Sequence, residues 1–270
     1  MNKCCAATRL WTFSLILSLL LALSPYTQAR ELTLAIFPVL PKAQTIKTYT
    51  PLANYIGAAI GQPIRIETST NFLSHYQLMK HKPYDLVLDG PHFVAYRLDK
   101  MGHRIIAKFP SEVSYSLVAH VDSFILDTND MLSGMIATTP SPGLGALRLE
   151  QIFPNPMRQP EILEATDSVD AARAVMEKRA LGAMIPTSMV ANYPELTTVL
   201  TTEQVPAPAI TAGPSVDDAT VEKIRTLFLN AANTPEGREV LDWININGFE
   251  NADPREYLKT EVLLAGMWDS

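Results

Sequence analysis

Short apolar runs alternate with segments whose apolar residues recur at helical spacing along nearly the whole chain. That alternation predicts α/β units built around parallel or mixed sheets. Leu32 to Ile36 reads as the first strand and Ile64-Arg65-Ile66 as the second. Between them Leu52, Ala53, Ile56 and Ile60 mark one face of a helix, with Thr50 as its cap, Pro51 as its first residue and Gly61 at its end. A helix from about Phe72 to Lys80 leads into "YDLVLDGPHFVAY", residues 84–96, where Leu86-Val87-Leu88 runs into Asp89-Gly90-Pro91 and a further helix. Such a junction brings a helix N-terminus, with unpaired backbone N–H groups, to the carboxyl edge of a sheet.

The plan repeats. Residues 70–96 lie on residues 167–193 without a gap, placing Thr70 on Asp167 as helix caps, Met79 on Met176, and Leu86-Val87-Leu88 on Ala183-Met184-Ile185. Val94 and Tyr96 fall on Ala191 and Tyr193, and both tyrosines read as packing residues. The echo predicts two lobes of like design: residues 30–115 with 207–270, and residues 116–206. Two segments would cross between them, Val113 to Ala119 and Val205 to Ile210, the second stiffened by Pro206 and Pro208. Two crossings make a hinge. Later helices, from Thr220, from Thr234-Pro235-Glu236 and from Asp253-Pro254, open with helix-start chemistry and should pack on the first lobe.

The N-terminus changes the picture of location. Lys3 and Arg9 precede an apolar stretch, Leu10 to Leu23, and Thr27-Gln28-Ala29 supplies small residues, the layout of a secretory signal peptide over residues 1–29. The mature protein is therefore expected in the periplasm. Both cysteines, Cys4 and Cys5, fall in the removed part, so the mature chain is expected to have neither a disulfide nor a thiolate. Acidic residues outnumber basic ones, 28 to 22, and processing removes only basic ones. Nucleic acid is thereby excluded as a partner, since its binders need a basic face. A small anion is not, because helix termini hold one without net positive charge.

Catalytic signatures are missing. The chain has no G-x-S-x-G elbow, no S-x-x-K, no H-E-x-x-H and no P-loop, and no two histidines stand four apart. Neither enzyme activity, nor a cofactor, nor a metal is expected. The strand-end junctions carry the candidate chemistry instead. Gly90 as cap and Pro91 as first helical residue free the amides of His92 and Phe93; His92 could point into a cleft, and Asp89 could shape the turn or touch a ligand. Ser141 as cap and Pro142 as first residue would free Gly143 and Leu144, and Pro186-Thr187-Ser188 opens a third helix. Pro38 and Val39, after the first strand, would form a fourth wall, and Tyr115 would line the hinge or the core between the lobes. Four to six hydrogen bonds to an anion, each worth about 1.5–3 kcal/mol, suffice for a micromolar complex after the costs of ordering.

The runs "LTLAIFPVLPKAQTIKTYTPLANYIGAAIGQPIRI", "YDLVLDGPHFVAY" and "TPEGREVLDWININGF" together resemble the periplasmic phosphate/phosphonate substrate-binding proteins of ABC importers, over Leu32 to about Leu264. The resemblance implies a two-lobed type II periplasmic-binding-protein fold that closes on a small, anionic ligand, and a membrane permease as partner. Phosphonate binders of the family carry Ser-Thr-Ser before a glycine at the helix start of the second lobe. Here the positions before Gly145 read Pro142-Gly143-Leu144, with Ser141 nearby, which widens the expected ligand to a less charged or larger oxyanion or another small molecule. A sensory binding protein serving a membrane kinase or cyclase would need the same clamp. A monomer is expected in either case.

Overall fold

The computed structural model describes residues 30–267; the signal-peptide reading of residues 1–29 lies outside them. Two five-stranded mixed sheets organise the chain from Glu31 onward. In the first sheet β1 (Leu32–Ile36), β2 (Ile64–Thr68) and β3 (Leu86–Asp89) run parallel, and β10 (Ala209–Ala212) lies antiparallel between β3 and β4 (Arg104–Lys108). In the second sheet β6 (Met135–Thr138) is parallel to β7 (Glu161–Glu164) and β8 (Gly182–Pro186), while β5 (Tyr115–His120) pairs antiparallel with β8 and β9 (Leu196–Thr201). This is the two-lobed α/β architecture the alternating pattern predicts.

Helices connect the parallel strands, as a parallel pair requires. They are α1 (Lys42–Ile60), α2 (Phe72–His81) and α3 (Pro91–Lys100) on the first sheet, and α4 (Leu144–Ile152), α5 (Ser168–Met176) and the single turn α6 (Thr187–Val190) on the second. The repeated stretch folds alike at both positions, helix, strand, helix, with α6 much shorter than α3. Beyond β10, α7 (Asp218–Leu229), α8 (Pro235–Trp243) and α9 (Pro254–Leu258) return to the first sheet: Val221, Ile224, Phe228, Val240 and Leu241 share its core with Leu34, Ile36 and Leu88.

Several helix starts follow the sequence chemistry. Asp167, Thr234 and Asp253 cap α5, α8 and α9, each side chain accepting a first-turn amide, with proline at the first helical position in the last two. Two starts differ. Helix α1 begins at Lys42 rather than Pro51, which sits inside it and cannot donate the bond to the Lys47 carbonyl. A buried stripe of Thr45, Tyr49, Leu52 and Ile56, spaced 4, 3 and 4 residues apart, holds the helix through the proline. Helix α2 is capped by Asn71, not Thr70: the Asn71 side chain accepts from the Ser74 amide at 2.8 Å.

The chain leaves the first sheet after Lys108 and returns at Ala209. The two connecting segments run side by side, joined by Val113 N–H to the Val205 carbonyl (2.8 Å) and Val205 N–H to the Val113 carbonyl (2.9 Å). Among the described residues, no helix is long and apolar enough to cross a membrane.

Candidate functional site

The ends of β1 and β2 share a cleft with those of β6 and β7, and a His92–Pro142 hydrogen bond joins the junction after β3 to the one after β6, so the first two junctions singled out in the sequence meet. At the first, Gly90 is the cap of α3 and Pro91 its first residue. The Val94 amide returns to the Gly90 carbonyl, leaving the His92 and Phe93 amides without acceptors among the described residues. Asp89 neither caps the turn nor faces a solute. It is wholly buried, and its carboxylate accepts from Arg97 Nε (2.6 Å) and pairs with His75 Nε2 (2.6 Å). Burial pushes the Asp89 carboxyl up, but the charges and hydrogen bonds of His75 and Arg97 outweigh it and hold it at about 2. The triad ties α2, β3 and α3 into one block beneath the junction.

At the second junction the free amides lie one residue further on than the sequence suggests. Ser141 and Pro142 stay outside the helix; the cap is Gly143, and its N–H is spent on the Pro140 carbonyl at 2.9 Å. The amides of Leu144 and Gly145 open α4 instead. Gly143 is glycine for a steric reason: a Cβ there would lie 2.7 Å from Thr139 Oγ1, 2.9 Å from the Pro140 oxygen and 3.1 Å from the Phe72 ring. Ser141 turns away from the cleft, its hydroxyl donating to Glu150 Oε1 at 3.4 Å. Leu144 is buried in the same apolar cluster as Phe37, Phe72 and Phe93, so this wall is apolar where a hydroxyl cluster would have been polar.

The third junction serves the connection between sheets. The Thr187 amide donates to the Ser114 carbonyl (2.9 Å), and its hydroxyl bonds Ser114 Oγ (2.9 Å) and Ser116 Oγ (3.0 Å). These groups are occupied; Ser188 is exposed on the one-turn helix. Tyr115 packs between the halves, against both core clusters, and burial pushes its phenol up to about 12.

Open space lies in front of this packed floor. A cleft of about 520 Å³ has Pro38, Leu40, Pro41 and Lys42 on one side with Thr70, Asn71 and Phe72. Thr139 and Pro140, with Glu164, Ala165 and Thr166, close the other side. Val39 is only half-buried and packs on the first core beside it. Two helices of ten residues or more, α1 and α2, begin at the cleft, and Lys42 adds a cation to their positive ends. Glu164 puts a carboxylate on the opposite wall.

The sequence reading missed Lys42, Asn71, Thr139, Glu164 and Thr166. Extending the α1 stripe back to Thr45 would have found the first. Among the described residues, no group of three or more His, Cys, Asp or Glu is placed to hold a metal ion.

Two mixed sheets joined by a pair of adjacent segments, with a cleft at their facing strand ends, define a type II periplasmic binding protein. The model of the periplasmic substrate-binding proteins of phosphonate ABC transporters matches residues 34–257, and the chain belongs to that family. The family consists of transport binding proteins of the periplasm, not enzymes; it implies a small-molecule ligand and a permease, and lends nothing to the sensory use. No curated protein sequence matches the chain. Solved structures agree on the fold. PhnD1 from Prochlorococcus marinus in complex with methylphosphonate aligns with a TM-score of 0.76 at 12% identity, covering 88% of this chain and 98% of that one. A binding-protein component of an ABC phosphonate transporter from Pseudomonas aeruginosa gives 0.72 at 17%, covering 87% and 85%. A Xanthomonas citri protein bound to chloride gives 0.75 at 15%, covering 87% and 98%.

Proposed function

We propose that the protein captures a small anionic solute of the phosphonate or phosphate kind between two lobes, residues 30–115 with 207–270 and residues 116–206, and delivers it as a monomer to an ABC permease after export through a cleaved signal peptide. One observation carries this reading: the cleft at the strand ends is shared by both halves, with two helix N-termini and Lys42 on one wall. A helix N-terminus favours an anion by about 0.3–1 kcal/mol, and each charge-assisted hydrogen bond adds about 1.5–3 kcal/mol.

The opposite wall narrows the class. Glu164 repels a dianion, so a monoanion, or a zwitterion whose ammonium meets Glu164 while its oxyanion meets Lys42, fits better than free phosphate dianion. A ligand touching both lobes stabilises the closed arrangement because only there does it make all its contacts.

Calorimetric titration with methylphosphonate, an aminoalkylphosphonate and inorganic phosphate tests the reading. The expected outcome is micromolar binding of at least one phosphonate, with the aminoalkyl compound tightest and Lys42→Ala about tenfold weaker, the loss of one charged contact. Absence of heat and of any melting-temperature rise for all three at millimolar concentration would remove it.

A further inference from the structure

A direct side-chain hydrogen bond joins the floor of the cleft across the two halves. His92, second residue of α3, donates its Nε2–H to the carbonyl of Pro142, in the loop before α4, at 3.0 Å. The acceptor is a carbonyl, so Nε2 must carry the proton. Burial favours the neutral ring, and in that form Nδ1 is a bare lone pair. That Nδ1 is buried and has no partner among the described residues. The ring is 1% exposed and lies over Gly90, where a Cβ would meet its Cε1 at 3.3 Å and Phe37 at 3.8 Å, and it leans on Phe93 with centroids 4.2 Å apart. A proton added at Nδ1 would find no acceptor and would place a charge in an apolar seam.

We propose that His92 is a positioning residue that latches the two halves in the closed arrangement, and that protonating its imidazole releases the latch and the solute with it. The inference rests on the cleft being one that opens and closes.

The groups facing the ring give the sign. Burial is the largest influence and pushes His92 down to about 4 in the closed arrangement; the Pro142 carbonyl and the Asp89 carboxylate on β3 pull it up, while His75 on α2 and Arg148 on α4 push it further down. The loop after β1 contributes the uncharged Phe37 ring. In an open, wet cleft the imidazole returns to about 6.5. The contribution of His92 to closure is thus complete above that value and weakens as pH falls from it toward 4. Between pH 7.5 and 5.0 the closed-to-open ratio drops about 30-fold.

Small-angle scattering of the ligand-free protein at pH 7.5 and 5.0 reads this directly, with circular dichroism confirming the fold at each pH. Wild type should expand at pH 5.0. His92→Gln, which keeps an N–H donor and does not titrate, should stay closed at both, and His92→Phe, which keeps a ring but donates nothing, should be open at both. An unchanged wild-type radius, or equal expansion in His92→Gln, would overturn the latch. Should the glutamine variant not fold, a pH response in His92→Phe equal to wild type would do the same. No solute enters the measurement, so failure of the latch is separable from failure of the phosphonate reading, which the titrations decide.

Discussion

The two walls of the cleft floor are built from the same topology and held by different physics. On the first sheet, the junction after β3 stands on a buried ionic triad, Asp89 between His75 and Arg97, all at most 3% exposed. On the second, the junction after β6 stands on close steric fit: Gly143 against Thr139, Pro140 and Phe72, with Leu144 and Leu147 buried in the apolar cluster of the first sheet. The first wall is fixed internally by its own charges. The second is fixed by what it presses against, which makes it the wall suited to lift away. Asp89→Ala should therefore be the most damaging single change, about 3–5 kcal/mol, because it strands the buried Arg97 guanidinium and takes the hydrogen-bond partner from buried His75. Among the described residues, Arg97 would keep only the Met101 sulfur as a hydrogen-bond partner, at 3.9 Å. Urea denaturation checks it, and a loss under 1 kcal/mol would mean that the triad is not what braces the first wall.

Acid attacks the same wall without mutation. The Asp89 carboxyl titrates at about 2 in the folded protein against about 3.9 unfolded, worth about 2–3 kcal/mol. Because the folded value is the lower, this contribution is complete above the unfolded value and is lost as pH falls through the folded one. Stability should accordingly be flat in this respect down to about pH 4 and decline toward pH 2. In Asp89→Asn that part of the decline should vanish. An unaltered acid limb in the variant would place the responsible carboxylate elsewhere.

How much of this was legible in the sequence divides along the same line. Local chemistry was readable: Gly90-Pro91, Asp167, Thr234-Pro235 and Asp253-Pro254 start helices where their capping residues say they do, and the alternation of apolar runs gives the order of strands and helices. Tertiary commitments were not. Asp89 looked like a turn residue because its partners, 14 residues before and 8 after, share no local spacing that signals an ion pair. Pro51 looked like a helix start because proline belongs there in isolation, yet burial of Tyr49, Leu52 and Ile56 outweighed its missing hydrogen bond. For Gly143 the local rule of cap then proline pointed to Ser141-Pro142, whereas the helix starts two residues on, from a glycine where Phe72 and Thr139 leave no room for a side chain.

The second wall is tested by filling it. Gly143→Ala puts a methyl carbon where backbone, a hydroxyl and a ring leave 2.7–3.1 Å, an overpacking cost of about 1–3 kcal/mol. Parting the halves relieves the 3.1 Å clash with Phe72 of the opposite half, while the clashes with Thr139 and Pro140 stay within the wall and cost stability in either arrangement. Scattering at pH 7.5 should then show Gly143→Ala more open than wild type, while Asp89→Ala loses stability without that preference. The same opening in both variants would erase the distinction between the walls.

The smallest effect belongs to the third junction, the counterpart of the first in the repeated stretch. Where Gly90-Pro91-His92 opens a ten-residue helix, Pro186-Thr187-Ser188 opens a single turn whose first residue is bound to the segment leaving the first sheet. Thr187→Val keeps the shape and the amide bond to the Ser114 carbonyl but removes the hydroxyl that Ser114 Oγ and Ser116 Oγ share. Ser116 retains Thr201 Oγ1 at 3.2 Å, so one hydroxyl rather than two loses its close partner. A net hydrogen bond of this kind is worth about 0.5–1.5 kcal/mol, and denaturation should show a loss of about 1 kcal/mol. Because the bond anchors the connection and not the cleft, phosphonate affinity should change less than twofold. A tenfold loss of affinity at unchanged stability would instead place Thr187 in the binding site, and would make the third junction a wall like the other two.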